Sequence, residues 1–313
     1  MNQSNDQALV SVVIPAFKAR NYLADALESV RKQDYRNVEI LVIDDASPEP
    51  IDDIIATFLQ SPGAPGLRVV RHEENLGIAA VRNTGIQSAN GEFVALLDHD
   101  DLWTPDHLSD LMKGILDNGC DIGFCSAMAF KDSPENWSGT WGPPNGVMDD
   151  NVALELFHIS YITPSSAVIR KSLLTEMNGF RTEPEINACE DLDLWLRIAE
   201  RRKKFHYSKR STVFYRNHPS QATSRTAYLA CQAAYVRALH VSSVPGPWIQ
   251  KRALVAASWW SAFILTRHSG KIRWDLLKRS IIASLPVPWE MVRGISHLLG
   301  IKIFSGRSNQ PSS

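Results

Sequence analysis

Apolar positions along the chain alternate between short continuous runs and helical stripes. Residues 10–14 (VSVVI) form the first run, closed by Pro15. Asn21 then stands where it can cap a helix whose stripe is Leu23, Ala26, Leu27 and Val30. Residues 38–43 (VEILVI) make a second run, ended by Asp44, Asp45, Ala46 and Ser47. Ile51, Ile54, Ile55, Phe58 and Leu59 mark the next helix, and residues 67–70 a third strand. The turn Asn75-Leu76-Gly77 opens a helix that runs through Ala89. Residues 93–97 are again apolar and stop abruptly at Asp98, His99, Asp100 and Asp101. Leu108, Leu111, Met112, Ile115 and Leu116 then repeat at helical spacing. This order, β-α-β-α-β-α-β-α, predicts an α/β fold with a mostly parallel sheet and helices on both faces. Ligands of such sheets bind beyond the carboxyl ends of the strands. That rim receives Asp45, Asn75 and the segment from Asp98 to Asp101.

Further on, residues 121–130 read as another strand and residues 131–150 as a loop. The loop carries Pro134, Pro143, Pro144, three glycines and two tryptophans. Loops of this length commonly act as lids or binding loops. Residues 161–169 read as extended. A helix opens at Glu190 with a core stripe of Leu192, Trp195, Leu196 and Ala199. At about 100° per residue, Asp191 lies beside that stripe and Glu190 points nearly opposite it. Asp193 and Arg197, four apart on the far face, read as a surface ion pair.

Composition changes the picture in one place. With 44% hydrophobic and 21% charged residues, the 313-residue chain has what a packed core needs, and a net charge of −1 argues against nucleic-acid binding. From Arg225 onward, however, 12 Lys/Arg face 2 Asp/Glu, leaving the preceding residues at −11. Five of the nine tryptophans lie in this basic stretch. The expected division is therefore residues 1–224 and a basic, Trp-rich helical region, residues 225–313. Within it, residues 253–266 are apolar but too short to span a bilayer. Basic residues surround Trp274, and residues 281–299 mix apolar stretches with Pro286, Pro288, Trp289 and Arg293. Two readings stand. The region docks on an anionic cytoplasmic leaflet, or it is a helical subdomain packed on the body or on a second subunit. The polar N-terminus has no signal-peptide h-region, so the expected location is the cytoplasm or its membrane face. Cys120, Cys125, Cys189 and Cys231 match no zinc spacing and read as buried free thiols.

Five stretches, taken together, resemble the family 2 glycosyltransferases. VSVVIPAFKARNYLADALESV is similar to that family's opening strand and helix, and ILVIDDAS to its nucleotide-binding strand end. ENLGIAAVRNTGIQSANGEFVALLDHDD resembles the central segment ending in an Asp-x-Asp signature. NACEDLDLWLR resembles the Glu-Asp motif, and YRNHPSQATS the His-containing stretch after it. Two departures stand out: Lys18, where the family often has Asn, and Asn178-Gly179-Phe180, where Gly-Gly-Phe is frequent.

The resemblance implies the GT-A fold and transfer of a sugar from a nucleotide sugar. Breaking the sugar's C1–O bond puts charge on a diphosphate that a divalent cation can neutralise. Mg²⁺ and Mn²⁺ take few protein carboxylates and complete their shell from substrate phosphates. By resemblance Asp100 is the direct metal ligand, Asp98 holds the ribose or the metal's waters, His99 lies between them, and His218 touches metal or diphosphate. The alternative is an Asp-rich helix N-terminus capped by Asp101. By resemblance, too, Asp45 accepts from a pyrimidine ring N–H while Pro15, Ala16 and Phe17 flank the base, which implies a UDP- or dTDP-sugar; a helix-capping turn is the plainer reading for Asp44 and Ser47. Asn75 and Gly77 border the same site, and Gly77 and Gly85 permit close packing. Arg82 either contacts the nucleotide or diphosphate or pairs with a strand-end Asp. Asp191 is the candidate general base, implying inversion at the anomeric carbon, with Glu190 either sharing that work or serving as a helix-terminal carboxylate. The implied acceptor is a glycan or lipid-linked hydroxyl in cell-envelope or surface polysaccharide assembly. Two other classes are a sugar nucleotidyltransferase, whose Gly-rich loop PAFKARN lacks, and a silent nucleotide-sugar-binding module.

Overall fold

A computed structural model describes residues 7–143, 146, 148, 151–219, 221, 226–268, 273–285, 287 and 292. The chain divides into two compact units, Met1–Pro219 and Ser220–Ser313. The first opens with β1 (Val10–Ala16), α1 (Leu23–Arg31), β2 (Val38–Asp44), α2 (Asp52–Leu59), β3 (Gly66–Arg71), α3 (Ile78–Ser88) and β4 (Phe93–Leu96). It continues with β5 (Leu102–Trp103), α4 (His107–Asn118), β6 (Ile122–Phe130), β7 (Gly139–Trp141), α5 (Val152–His158), β8 (Ala167–Arg170), α6 (Lys171–Glu176), α7 (Glu190–Glu200) and β9 (Phe205–Arg216). The described strands form one nine-stranded sheet in the order β3-β2-β1-β4-β8-β6-β9-β5, with β7 paired to β6.

The sheet is mixed. β3, β2, β1 and β4 run parallel, as the alternating pattern predicts. β8 joins antiparallel to β4 and β6, and of the later pairs β6–β9 alone is parallel among the described residues. The strict β-α alternation that produces parallel pairing ends after β4, and so does the all-parallel region.

Side chains of β1 alternate between two packed faces. Val10, Val12 and Ile14 enter the core with Leu23, Leu27, Ile55, Phe58, Leu108 and Met112. Val13 points the other way, against α3, where Gly85 leaves it room: a Cβ there would come within 2.2 Å of Val13 Cγ1. Gly85 thus does permit close packing. Gly77 serves differently, because its φ of +84° is a conformation that side-chain-bearing residues avoid.

Several local expectations are corrected. Asn21 does not cap α1; Tyr22 holds that position, and the backbone N–H groups of Tyr22 and Leu23 bond the carbonyl of Ala19. Within the predicted loop 131–150, residues 139–141 form β7, a strand too short to show a period; Pro144 and Asp150 lie outside the described residues. β9 is a long central strand whose mixture of basic and apolar residues hides it. The cysteines are free: Cys120, Cys125 and Cys189 are buried and Cys231 is half-buried.

The second unit holds α8 (Thr226–His240), α9 (Trp248–His268) and α10 (Trp274–Ser284). No helix among the described residues is long and apolar enough to cross a membrane. Pro286, Pro288, Trp289 and Arg293 lie outside the described residues.

The two departures from the family pattern share a backbone feature: Lys18 and Asn178 both have φ of +55°. Asn tolerates that region, and lysine is held there against its preference. Lys18→Gly should raise the unfolding free energy by about 0.5–1 kcal/mol in urea titration. Gly85→Ala should lower it by about 1–3 kcal/mol through overpacking against Val13.

Candidate functional site

The carboxyl ends of β2, β1 and β4 lie side by side and form one rim. Ala16 accepts a hydrogen bond from Asp45 N at 2.8 Å, and Val13 accepts from Leu97 N at 3.0 Å. Pro15 therefore lies inside β1 rather than after it: its backbone faces the side where β4 has already ended. Its carbonyl instead accepts from Nδ1 of His99 at 3.1 Å. Phe17, just past the strand, is exposed.

Asp45 is buried and tied to one turn. Oδ1 accepts from Leu76 N at 2.9 Å and from His72 Nδ1 at 2.7 Å, and Oδ2 accepts from Gly77 N at 2.9 Å. Asn75 Nδ2 reaches the Asp45 carbonyl at 3.3 Å. His72 Nε2 completes the chain to the Thr84 hydroxyl at 3.0 Å. The carboxylate expected to meet a base edge is thus engaged with the turn 75–77 that opens α3. Asp44 accepts from Ser47 N at 3.0 Å, so the expected turn forms, but it does not cap α2, whose N-cap position is Ile51. Outside the turn lies an open hollow of about 560 Å³ lined by His72, Glu73, Glu74 and Leu76.

Arg82, the second-turn residue of α3, is only 3% exposed. Its Nη2 donates to Asp98 Oδ1 at 2.8 Å and its Nη1 to Glu190 Oε1 at 2.6 Å. Of the two readings open for Arg82, the ion pair with a strand-end Asp is the contact present, and it extends to the Glu-Asp motif. Neighbouring Asn83 docks the segment before α7: its side-chain amide exchanges two hydrogen bonds with the backbone of Phe180, both 2.8 Å. The Phe180 ring lies under the Arg82 guanidinium.

The first turn of α7 overturns a helical-wheel expectation. Glu190 and Asp193 do not face water; they are 5% and 0% exposed. Arg82 covers Glu190, while Arg181 and Arg197 clamp Asp193 at 2.9 and 2.8 Å. Arg197 also donates to the carbonyls of Met177 and Gly179. Asp191 remains half-buried, and its Oδ1 accepts from Leu192 N at 2.7 Å. Burial pushes both Glu190 and Asp191 above the usual carboxylate range, against the opposing pull of Arg82, and the charge of Asp98 adds to the rise. The same carboxylates raise the Arg82 guanidinium.

On the other side of the loop, Asp100 Oδ2 meets His218 Nε2 at 2.8 Å. The His218 ring tilts against Tyr22. Arg216, at the end of β9, gives its side-chain Nε to the Asp100 carbonyl at 2.9 Å and its backbone N–H to Asp101 Oδ1 at 3.0 Å. Asp101 also accepts from the Ser165 hydroxyl at 2.6 Å. It is no helix cap, because α4 begins at His107. Burial, with Asp100 and Asp98 beside it, pushes Asp101 well above its ordinary value. Ser165 lies in no motif, and Arg216, though inside the stretch YRNHPSQATS, carries no mark that sets it apart there.

Among the described residues no group of three or more His, Cys, Asp or Glu side chains converges as a ready-made metal cage. Of the three expected donors, Asp100 and His218 meet, an oxygen-and-imidazole pair compatible with a cation that takes the rest of its shell from substrate, while Asp98 is engaged by Arg82.

The profile of glycosyl transferase family 2 matches residues 11–177, more than half of the chain. The chain is a family 2 glycosyltransferase. TuaG of Bacillus subtilis, whose name assigns it to teichuronic acid biosynthesis, is 30% identical over 200 residues, covering 63% of this chain and 75% of TuaG. Several other curated glycosyltransferases match over less than two thirds of their own length. Among solved structures, S. aureus TarS (residues 1–349, in complex with UDP-GlcNAc) superposes with a TM-score of 0.65 at 19% identity, over 92% of this chain and 81% of that one. The mannosyltransferase PcManGT of Pyrobaculum calidifontis, in complex with GDP-Man and Mn²⁺, gives 0.62 at 18% identity, over 96% and 88%. The fold is that of the GT-A glycosyltransferases.

Removing Arg82 would leave Asp98, Glu190 and Asp191 to repel one another in a buried site. Arg82→Met should therefore lower stability by about 3–5 kcal/mol near neutral pH. The sign with pH follows from raised folded-state pKa values. The protonated carboxyls favour the fold below their unfolded values near 4.5 and 3.8, and that support is lost as pH rises through the folded values. The penalty should accordingly shrink at pH 5, as read by urea titration at both pH values.

Proposed function

We propose that this family 2 glycosyltransferase moves a sugar from a UDP- or dTDP-sugar to an acceptor hydroxyl with inversion, and that it depends on Mg²⁺ or Mn²⁺. The observation that carries the reading is the Arg82 bridge. One buried guanidinium joins the strand-end Asp98 to Glu190, so the base candidate Asp191 is held within electrostatic reach of the donor rim.

Asp100 and His218 would hold the cation, with Asp98 two residues before Asp100 on the same loop. The cation, when bound, neutralises the charge that develops on the departing diphosphate. The protein's own part is to position groups and move a proton. Asp191 takes the proton of the acceptor hydroxyl as that oxygen attacks C1 from the face opposite the diphosphate. Its raised pKa brings it nearer to working pH, where a general base is most effective. The hydrogen bond from Leu192 N fixes its rotamer. Glu190, held by Arg82, positions the turn rather than taking the proton. Pro15, Ala16 and Phe17 flank the base. Asp45 serves the donor side by fixing Asn75, Leu76 and Gly77 at the rim. His99, bonded to Pro15, fixes the strand-end loop between Asp98 and Asp100.

The pyrimidine donor is supported by the likeness to TarS, which has been solved with UDP-GlcNAc; PcManGT, solved with GDP-Man, makes GDP-sugars the direct competitor in any test. The likeness to TuaG, named for teichuronic acid biosynthesis, supports a role in cell-envelope polysaccharide assembly; the acceptor we propose is a glycan or lipid-linked hydroxyl at the cytoplasmic side of the membrane.

A panel of UDP-, dTDP- and GDP-sugars with Mn²⁺ or Mg²⁺, followed by nucleoside diphosphate release, tests the donor; turnover with GDP-sugars alone would refute the pyrimidine assignment. Asp191→Asn should keep donor binding and lower kcat by about 10²–10⁴-fold. Normal turnover in that variant would remove Asp191 from the mechanism. Asp100→Ala should instead weaken donor binding in the presence of metal and leave metal-free binding unchanged, as read by calorimetry. The acid limb of the kcat–pH profile should lie above the ordinary Asp range, because burial raises Asp191.

A further inference from the structure

α10 has its large apolar residues on the outside. Its buried face is Leu276, Ser280 and Ala283, three modest side chains that pack toward α9. Trp260 Nε1 of α9 donates to Ser284 Oγ at 3.1 Å on the same side. On the opposite face, Trp274 is 70% exposed, Ile281 48%, Ile282 51% and Leu285 78%. At about 100° per residue, Trp274, Lys278, Ile281, Ile282 and Leu285 fall within one arc of roughly 100°, centred opposite the buried face. An ordinary surface helix would carry polar residues there.

We propose that this stripe is the contact by which the chain lies on an anionic lipid bilayer, with α10 parallel to the surface. Charge selects the occupant. Residues 225–313 carry a local charge of +10, which complements anionic headgroups. Lys278 stands inside the stripe and is exposed. At a lipid interface its stem lies along the apolar residues while the ammonium reaches the headgroups. Trp274 is the residue type that settles at that depth. A second copy of this chain fits less well: a two-fold contact through the same stripe brings two Lys278 ammonium groups together in an apolar patch. The remaining basic groups of the helix are differently engaged, Arg273 with Asp275 at 2.6 Å and Arg279 over the Trp259 ring. The inference stands independently of the donor, the base and the metal, since it needs no substrate.

The test is flotation of the full-length protein with phosphatidylcholine vesicles, with and without phosphatidylglycerol. The wild type should float with the anionic vesicles and stay behind with the neutral ones. Trp274→Ser combined with Leu285→Ser should weaken binding at least about tenfold, and Lys278→Glu at least about fivefold. Leu59→Ser, which removes an exposed leucine from the first unit, should bind as wild type. Thermal melts of each variant check that the fold is kept, and donor turnover in solution should not change. The proposal fails if the wild type ignores anionic vesicles, or if the folded double variant floats as well as the wild type. It fails equally if the stripe instead drives a concentration-dependent dimer that the double variant abolishes.

Discussion

One guanidinium shared by two carboxylates ties the strand-end rim of the first unit to the helix that faces it. Arg82 leaves α3, inside the parallel part of the sheet, and reaches both the strand-end Asp98 and the helix-start Glu190. A lone cation buried to this extent would be costly, and so would two carboxylates brought together without one. Each group is tolerable only because the other two are present. The position of α7 relative to β4 is consequently set by charge as much as by packing, and Asn83 with Phe180 repeats the connection one residue along. What the site gains is registry: the strand-end loop at Asp98 and the first turn of α7 are fixed to each other through one side chain.

Much of this could be read from residue order alone. Four strands, the helices between them and the release of acidic residues after Leu97 follow from the alternation of apolar runs and stripes, and the Glu-Asp pair follows from its motif. The partners could not be read, because they are remote. Glu190 is 108 positions from Arg82 and Asp101 is 115 from Arg216. A helical wheel drawn for α7 assumes water on the face away from the core stripe, and here Arg181, Arg197 and Arg82 occupy that space. β9 was invisible for a related reason. Its middle, SKRST, is polar and carries the extra residues by which β9 slips register against β6, so neither strand period nor apolar run survives.

Asp45 ties the end of β2 to the start of α3. Its two oxygens order a turn whose glycine adopts positive φ, and that turn sets the entry angle of α3 and hence the reach of Arg82. Strand end, turn and helix are thus linked before any ligand arrives.

Pro15 carries a consequence for its neighbour rather than for its own strand. The ladder between β1 and β4 runs until Leu97 N meets the Val13 carbonyl, and the following rung would need an amide hydrogen that proline does not have. β4 is obliged to let go at that level. The chain peels away there, and the length of one strand is decided by an imino acid in another.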